Sequence, residues 1–173
     1  MSTLEEKLST AKIGHPQEII HLDERSQHQI TVATLAEQAR QEILLISRTL
    51  DPLVYGTPQF LDRVTPFIRS KRATMRMLVH DTYNIVKHTH RLGELAASIS
   101  SKVAIRKIGS RQNDYNEAWM LVDGVAFLHM PQADKYQASL DFYSARRGQE
   151  LTAVFDDLWN NGEQIPDLRI LKI

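Results

Sequence analysis

Cysteine is missing altogether from the 173 residues. That absence excludes disulfide scaffolds, thiol nucleophiles and cysteine-ligated zinc or iron–sulfur sites, and it is compatible with a reducing compartment. Glycine and proline are scarce, with 7 and 6 residues, so collagen-like and low-complexity organisations are excluded. No apolar run approaches the roughly 18–20 residues of a membrane-spanning helix. Met1 to Thr10 is polar and acidic, with no apolar stretch of the kind that forms the core of a signal peptide. Net charge is zero. What remains is ordinary for a globular chain: 42% hydrophobic and 24% charged residues. A single domain of this length buries roughly 70% of the surface that its unfolded chain exposes. These observations predict a soluble, cytoplasmic protein without a membrane span, and nothing in them points to a cofactor or a metal.

The neutral total hides an uneven distribution. Residues 60–111 hold 11 Lys or Arg against Asp62, Asp81 and Glu94, so this segment carries +8 and the flanks together carry −8. Such asymmetry marks either a surface that attracts phosphates or a set of solvated charges, Arg63, Arg69, Lys71 and Arg72 among them, on the outer face of a helix and its exit loop. Solvation is the commoner role for charged side chains.

Along the chain, residues 1–25 read as a polar N-terminal arm, loosely attached, and 26–173 as one α/β domain. Val32, Leu35, Ala36 and Ala39 recur with helical spacing. Ile43-Leu44-Leu45-Ile46 is the continuous apolar run of a strand buried on both faces. Thr57-Pro58 supplies an N-cap and a first helical position for a helix presenting Phe60, Leu61, Val64, Phe67 and Ile68, which Pro66 should kink or split. Met75 to Val79 is a second strand. Ile85, Leu92, Leu95, Ala96 and Ile99 line another helix, on which His88 and His90 point to different faces and so do not share a metal. Val103 to Ile108 is a third strand. This alternation predicts right-handed βαβ units and a largely parallel sheet. Asp123-Gly124 then joins two apolar runs, Trp119–Val122 and Val125–Leu128, as a tight hairpin. A short strand follows near Ala138–Tyr143. Leu151, Val154, Phe155 and Leu158 stripe a last helix that Gly162 can end in a left-handed cap, and Ile165–Ile173 is apolar enough to dock. Trp119 reads as core or interface, and Trp159 as the anchor of the last helix.

One stretch carries a resemblance. Asn116-Glu117-Ala118-Trp119-Met120-Leu121-Val122-Asp123-Gly124 resembles the reactive strand and hairpin of the phospholipase D superfamily, which carry a His, a Lys two residues on, and an Asp seven residues after the His, usually followed by Gly. Asn116 stands where the His would be, Ala118 where the Lys would be, and Asp123-Gly124 keeps the turn. The preceding helix–strand series agrees with this. So does Phe155-Asp156-Asp157-Leu158-Trp159, which is similar to the close of that family's last helix. Over roughly residues 30–160 the chain looks like one half-domain of a family that pairs such halves in twos.

The resemblance implies a phospholipase D-like mixed, mostly parallel sheet flanked by helices, and a site stripped of its chemistry. In the family, one His attacks phosphorus to form a phosphohistidine, another protonates the leaving group, and the Lys side chains hold the phosphate. An amide nitrogen has no lone pair for attack and shuttles no proton near neutral pH, so Asn116 replaces neither role, and Ala118 offers no charge. The family's Gly-Ser-x-Asn segment reads His129-Met130-Pro131-Gln132 here. Losing nucleophile, cation and supporting hydroxyl together removes the family's transition-state stabilisation. No catalytic residue is therefore assigned.

Candidate ligand-binding residues are Arg48 and His80, at the ends of two strands where ligands collect in open α/β sheets. Asn116 joins them in one crevice if the sheet order follows the family; His129, just beyond the second hairpin strand, is a further candidate, near where the resemblance would put the family's phosphate pocket. Asn116 also reads as a simple strand residue near a dimer axis, and Asp123 as a residue that serves the turn.

The leading expectation is a non-catalytic, phospholipase D-like pseudoenzyme of bacterial type. It would be a homodimer, or half of a pair with another chain, binding a phosphate-bearing ligand. Its rivals are a phosphodiester hydrolase or transferase with a relocated histidine, His129 or His80, a nucleic-acid binder resting on the basic segment alone, and a purely structural subunit.

Overall fold

Ile43, Leu44, Leu45 and Ile46 are wholly buried, because the strand they form is central and both of its faces are covered. The computed structural model describes residues 2–87 and 90–166. In it this run is β2 (Glu42–Ser47), and β1 (Ile20–Leu22) is the short strand before it. The others are β3 (Thr74–Val79), β4 (Val103–Lys107), β5 (Ala118–Val122), β6 (Ala126–Met130), β7 (Ala138–Asp141) and β8 (Glu163–Gln164). They form one sheet in the order β1-β7-β6-β5-β2-β3-β4-β8. Ile43 and Leu45 point into a core shared with the helices α2 (Arg25–Gln38) and α4 (Pro58–Arg69). Leu44 and Ile46 point the other way, into a second core with Trp119, Phe155 and Trp159 under the helix α7 (Ala145–Asn160). Side chains alternate across a strand, so a strand between two covered faces must be apolar at every position.

The mixed α/β class holds, with a correction to the balance of pairing. Only β2–β3 and β3–β4 are parallel, and the other five pairings are antiparallel. The crossover helices account for the parallel part. The short connections of β5, β6 and β7, and the two edge strands, make the rest antiparallel.

Local expectations changed for definable reasons. The helix α4 runs through Pro66 without a break. An interior proline costs about 3 kcal/mol, whereas burying each of Phe60, Leu61, Val64, Phe67 and Ile68 contributes roughly 1.5–3 kcal/mol; packing wins. The helix expected across Ile85–Ile99 is two, α5 (Tyr83–Val86) and α6 (Arg91–Ser98), and His90 is the N-cap of α6, its Nδ1 accepting from Leu92 N–H at 3.1 Å. His88 and the tail 167–173 lie outside the described residues. Val154 is on the solvent side of α7. Gly162 is not a left-handed cap; an added Cβ there would press within 3.1–3.2 Å of three carbonyl oxygens, those of Lys107, Leu158 and Trp159, so close packing is its requirement. The N-terminal segment is docked rather than loose. Its helix α1 (Leu4–Thr10) and strand β1 bury Leu8, Ala11, Ile20 and Leu22 in the first core. One further short helix, α3 (Pro52–Tyr55), follows β2 and is capped by Asp51.

Candidate functional site

The parallel strands β2 and β3 end side by side, and their ends are bonded together. The Arg48 carbonyl accepts from His80 N–H at 3.1 Å and Asp81 N–H at 2.9 Å. The strand β5 runs antiparallel to β2, so its start lies at the same end of the sheet, and Asn116 lies there with it. Arg48 Nη1 donates to Asn116 Oδ1 at 2.9 Å. His80 Nε2 lies 2.6 Å from the carbonyl of Tyr115. Three of the residues singled out in the sequence, Arg48, His80 and Asn116, are thus brought together through one short network.

The electrostatics of this group favour a neutral imidazole. Burial is the main cause lowering the His80 pKa; the hydrogen bond to Tyr115 opposes it and the positive charge of Arg48 adds to it. Arg48 itself is exposed. The backbone that presents it is held firmly. Leu50 adopts φ +54°, a left-handed conformation uncommon for a side chain of this size, with its own side chain fully buried. Leu50 N–H donates to Ser47 Oγ at 2.9 Å, and Asn84 Nδ2 donates to Thr49 O at 3.1 Å.

His129 stands apart from that network. It lies within β6, opposite Trp119 and Ser139, rather than beyond the strand's end. Val125 N–H bonds Val122 O, but the ladder resumes with Val122 opposite Ala126, so Val125 is an extra residue and β6 reaches Met130. His129 Nε2 is 2.5 Å from Glu117 Oε1. Glu117 escaped the sequence reading, although the hairpin register brings it diagonally opposite His129. Tyr115 escaped too; its hydroxyl accepts from Trp119 Nε1 at 2.9 Å, and burial raises its pKa.

The remaining motif positions do other work. Ala118 is buried opposite Met130. Asp123 sits at the far end of β5, roughly 20 Å from Asn116 at about 3.3 Å per residue. Its carboxylate accepts the backbone N–H groups of Arg40, Gln41 and Glu42 at 3.0, 2.8 and 2.9 Å. It therefore fastens the chain leading into β2 to the hairpin. Asp123 and Gly124 have φ +53° and +73°, the positive pair that a tight hairpin turn requires. Trp119 is core, fully buried.

The basic segment is dispersed. Arg63 pairs with Glu37, Arg91 with Glu94, and Arg76 with Glu42 and Asp156. Arg76 and Arg106 lie over the Trp159 ring, and Lys102 Nζ donates to the carbonyls of Ile68 and Ser70. Arg69, Lys71 and Arg72 precede β3, at the opposite end of the parallel strands from Arg48. Among the described residues no group of three or more His, Asp or Glu is placed to hold a metal ion, and no helix is long and apolar enough to cross a membrane.

Residues 24–171 match the family described as a domain of unknown function, DUF7931. The chain belongs to that family. No curated protein is similar to it in sequence. Among solved structures it is similar to TrmBL2, an archaeal chromatin protein described as showing a novel mode of DNA binding, with TM-score 0.66 and 11% identity; the match covers 94% of this chain and 59% of that one. It is similar to Nuc from Salmonella typhimurium, a phospholipase D family member, with TM-score 0.60 and 12% identity over 87% of this chain and 99% of that one. NucT from Helicobacter pylori follows at TM-score 0.54 and 9% identity, covering 86% of this chain and all 100% of that one. The DUF7931 chain therefore has the phospholipase D-like fold.

Proposed function

We propose that this DUF7931 protein is a phospholipase D-like binding module that holds a phosphate-bearing ligand and does not cleave it. The observation that carries this reading is the exposed Arg48 guanidinium, fixed by Asn116 at the ends of the parallel strands beside His80. A guanidinium offers donors in a planar fork that matches phosphate oxygens. The family's own cleavage chemistry has no carrier at these two positions: Asn116 is an amide and Ala118 is a buried methyl. One half-domain presents half of a groove, so the reading includes a homodimer or a pairing with a related chain. The cysteine-free composition fits work in the cytoplasm.

Ligand binding to the folded state raises the melting temperature by mass action. Millimolar dimethyl phosphate, a nucleotide or a short DNA duplex should raise it for the wild type and not for Arg48→Ala; no shift with any of them refutes the reading. Light scattering on the purified protein reports the dimer. DNA as the ligand would show a steep loss of affinity with salt, about one counterion per phosphate contact.

A second reading is favoured by the 2.5 Å Glu117–His129 pair, since a carboxylate-oriented imidazole is a competent acid or base. It requires phosphodiester turnover that His129→Ala abolishes and Asn116→Ala spares.

A further inference from the structure

The imidazole of His80 has one nitrogen with a partner and one without. A carbonyl only accepts, so the 2.6 Å contact with Tyr115 O puts the hydrogen of the neutral ring on Nε2. Nδ1 is then an acceptor, and it is buried with no hydrogen-bond partner. Buried polar atoms nearly always have a partner, so an orphan at a candidate ligand site is informative.

Burial is the chief reason the ring stays neutral, and the positive charge of Arg48, from the loop after β2, adds to it. From the segment before β5 come the Tyr115 carbonyl and Asn116, with the Tyr115 phenol tied to Trp119 and the Glu117 carboxylate engaged by His129. On its own turn, the Asp81 carboxylate is held by Tyr83 N–H at 2.8 Å. A proton on Nδ1 would place a second positive charge, partly buried, beside the Arg48 guanidinium. An anion on Arg48 reverses that balance: it cancels the guanidinium's repulsion and supplies the negative charge that an imidazolium needs.

Building on the anion-binding reading, we propose that the Arg48–His80 site takes up one proton from solvent together with each phosphodiester it binds, the proton residing on His80 Nδ1. The bound anion then lies in the field of both a guanidinium and an imidazolium. By linkage, affinity rises as pH falls, up to tenfold per pH unit while the free site is unprotonated and the bound site is protonated.

The test is calorimetric titration with dimethyl phosphate, an anion that stays singly charged throughout, in buffers of different ionisation heat from about pH 5 to about pH 8, where histidines titrate. The wild type should take up close to one proton per anion within that range. His80→Gln, whose amide can still donate to Tyr115 O, should bind with no uptake and with affinity independent of pH. Wild-type binding without uptake at any pH, or uptake that survives His80→Gln, overturns the proposal and leaves anion binding standing. No binding by the wild type overturns the anion-binding reading and this proposal with it.

Discussion

The two ends of β5 had different fates. At the far end, Asp123 keeps the identity that the phospholipase D pattern demands, and every interaction it makes is structural: three backbone N–H groups converge on its carboxylate. At the near end, Asn116 and Ala118 stand where the resemblance would put a nucleophile and a cation, and the strand pairs without interruption from Ala118 onward. The fold needs the anchor and does not need the reactive pair. A residue that holds three backbone groups at once is expensive to replace, whereas a residue that makes one exposed contact is not.

Substitutions can break this contrast. Asp123→Ala leaves three N–H groups without their acceptor, two of them exposed and one half-buried; a loss of about 1–3 kcal/mol is expected in urea unfolding. A loss below about 1 kcal/mol would show that water replaces the carboxylate. Gly148→Ala strikes the same end, because its Cβ would fall 1.7 Å from the Gly124 carbonyl oxygen and α7 would have to lift off the hairpin turn. Overpacking of this kind costs typically 1–3 kcal/mol, read as a lower melting temperature.

Acid should act next. The pKa values of His28, His80 and His90 are all lowered, chiefly by burial. A lowered folded value means that the unfolded chain binds the proton first, near about pH 6.5. Stability is therefore fully present above that pH and declines as pH falls through it toward the folded values. Denaturation midpoints from about pH 7.5 down to about pH 5 should follow that slope, and His28→Gln should flatten it. The smallest effect belongs to the near end. Asn116→Ala removes one exposed hydrogen bond, so stability should move by less than about 0.5 kcal/mol, while affinity for dimethyl phosphate should fall several-fold as Arg48 loses its brace. If Asn116→Ala destabilises as much as Asp123→Ala, the contrast between the ends is wrong.

Much of the fold could be read from local patterns, because those patterns are local physics. The run Ile43–Ile46 announces a strand covered on both faces, Thr57-Pro58 does cap α4, with Thr57 Oγ1 accepting from Phe60 N–H at 3.1 Å, and Asp123-Gly124 turns as a positive-φ pair must. The site was legible in part. Arg48, His80 and Asn116 were visible as strand-end residues whose meeting depended on sheet order. Glu117 and Tyr115 were not visible, since their roles arise from the one-residue offset at Val125 and from the packing of Trp119, neither of which leaves a mark in spacing.

By itself, then, the sequence determined most of the central strands and the helices α2, α4 and α7, the chemistry that Asn116 and Ala118 cannot perform, and the absence of any thiol. Only the tertiary structure decided that the sheet is mainly antiparallel, that α4 passes through Pro66, that His129 pairs with Glu117 away from Arg48, and that His80 keeps a buried nitrogen without a partner. The reason is range. Propensity, capping and turn geometry act over a few residues, whereas strand order, register and the burial of a charge depend on segments as far apart along the chain as Ile20 and Leu140, which meet only once the two cores have closed.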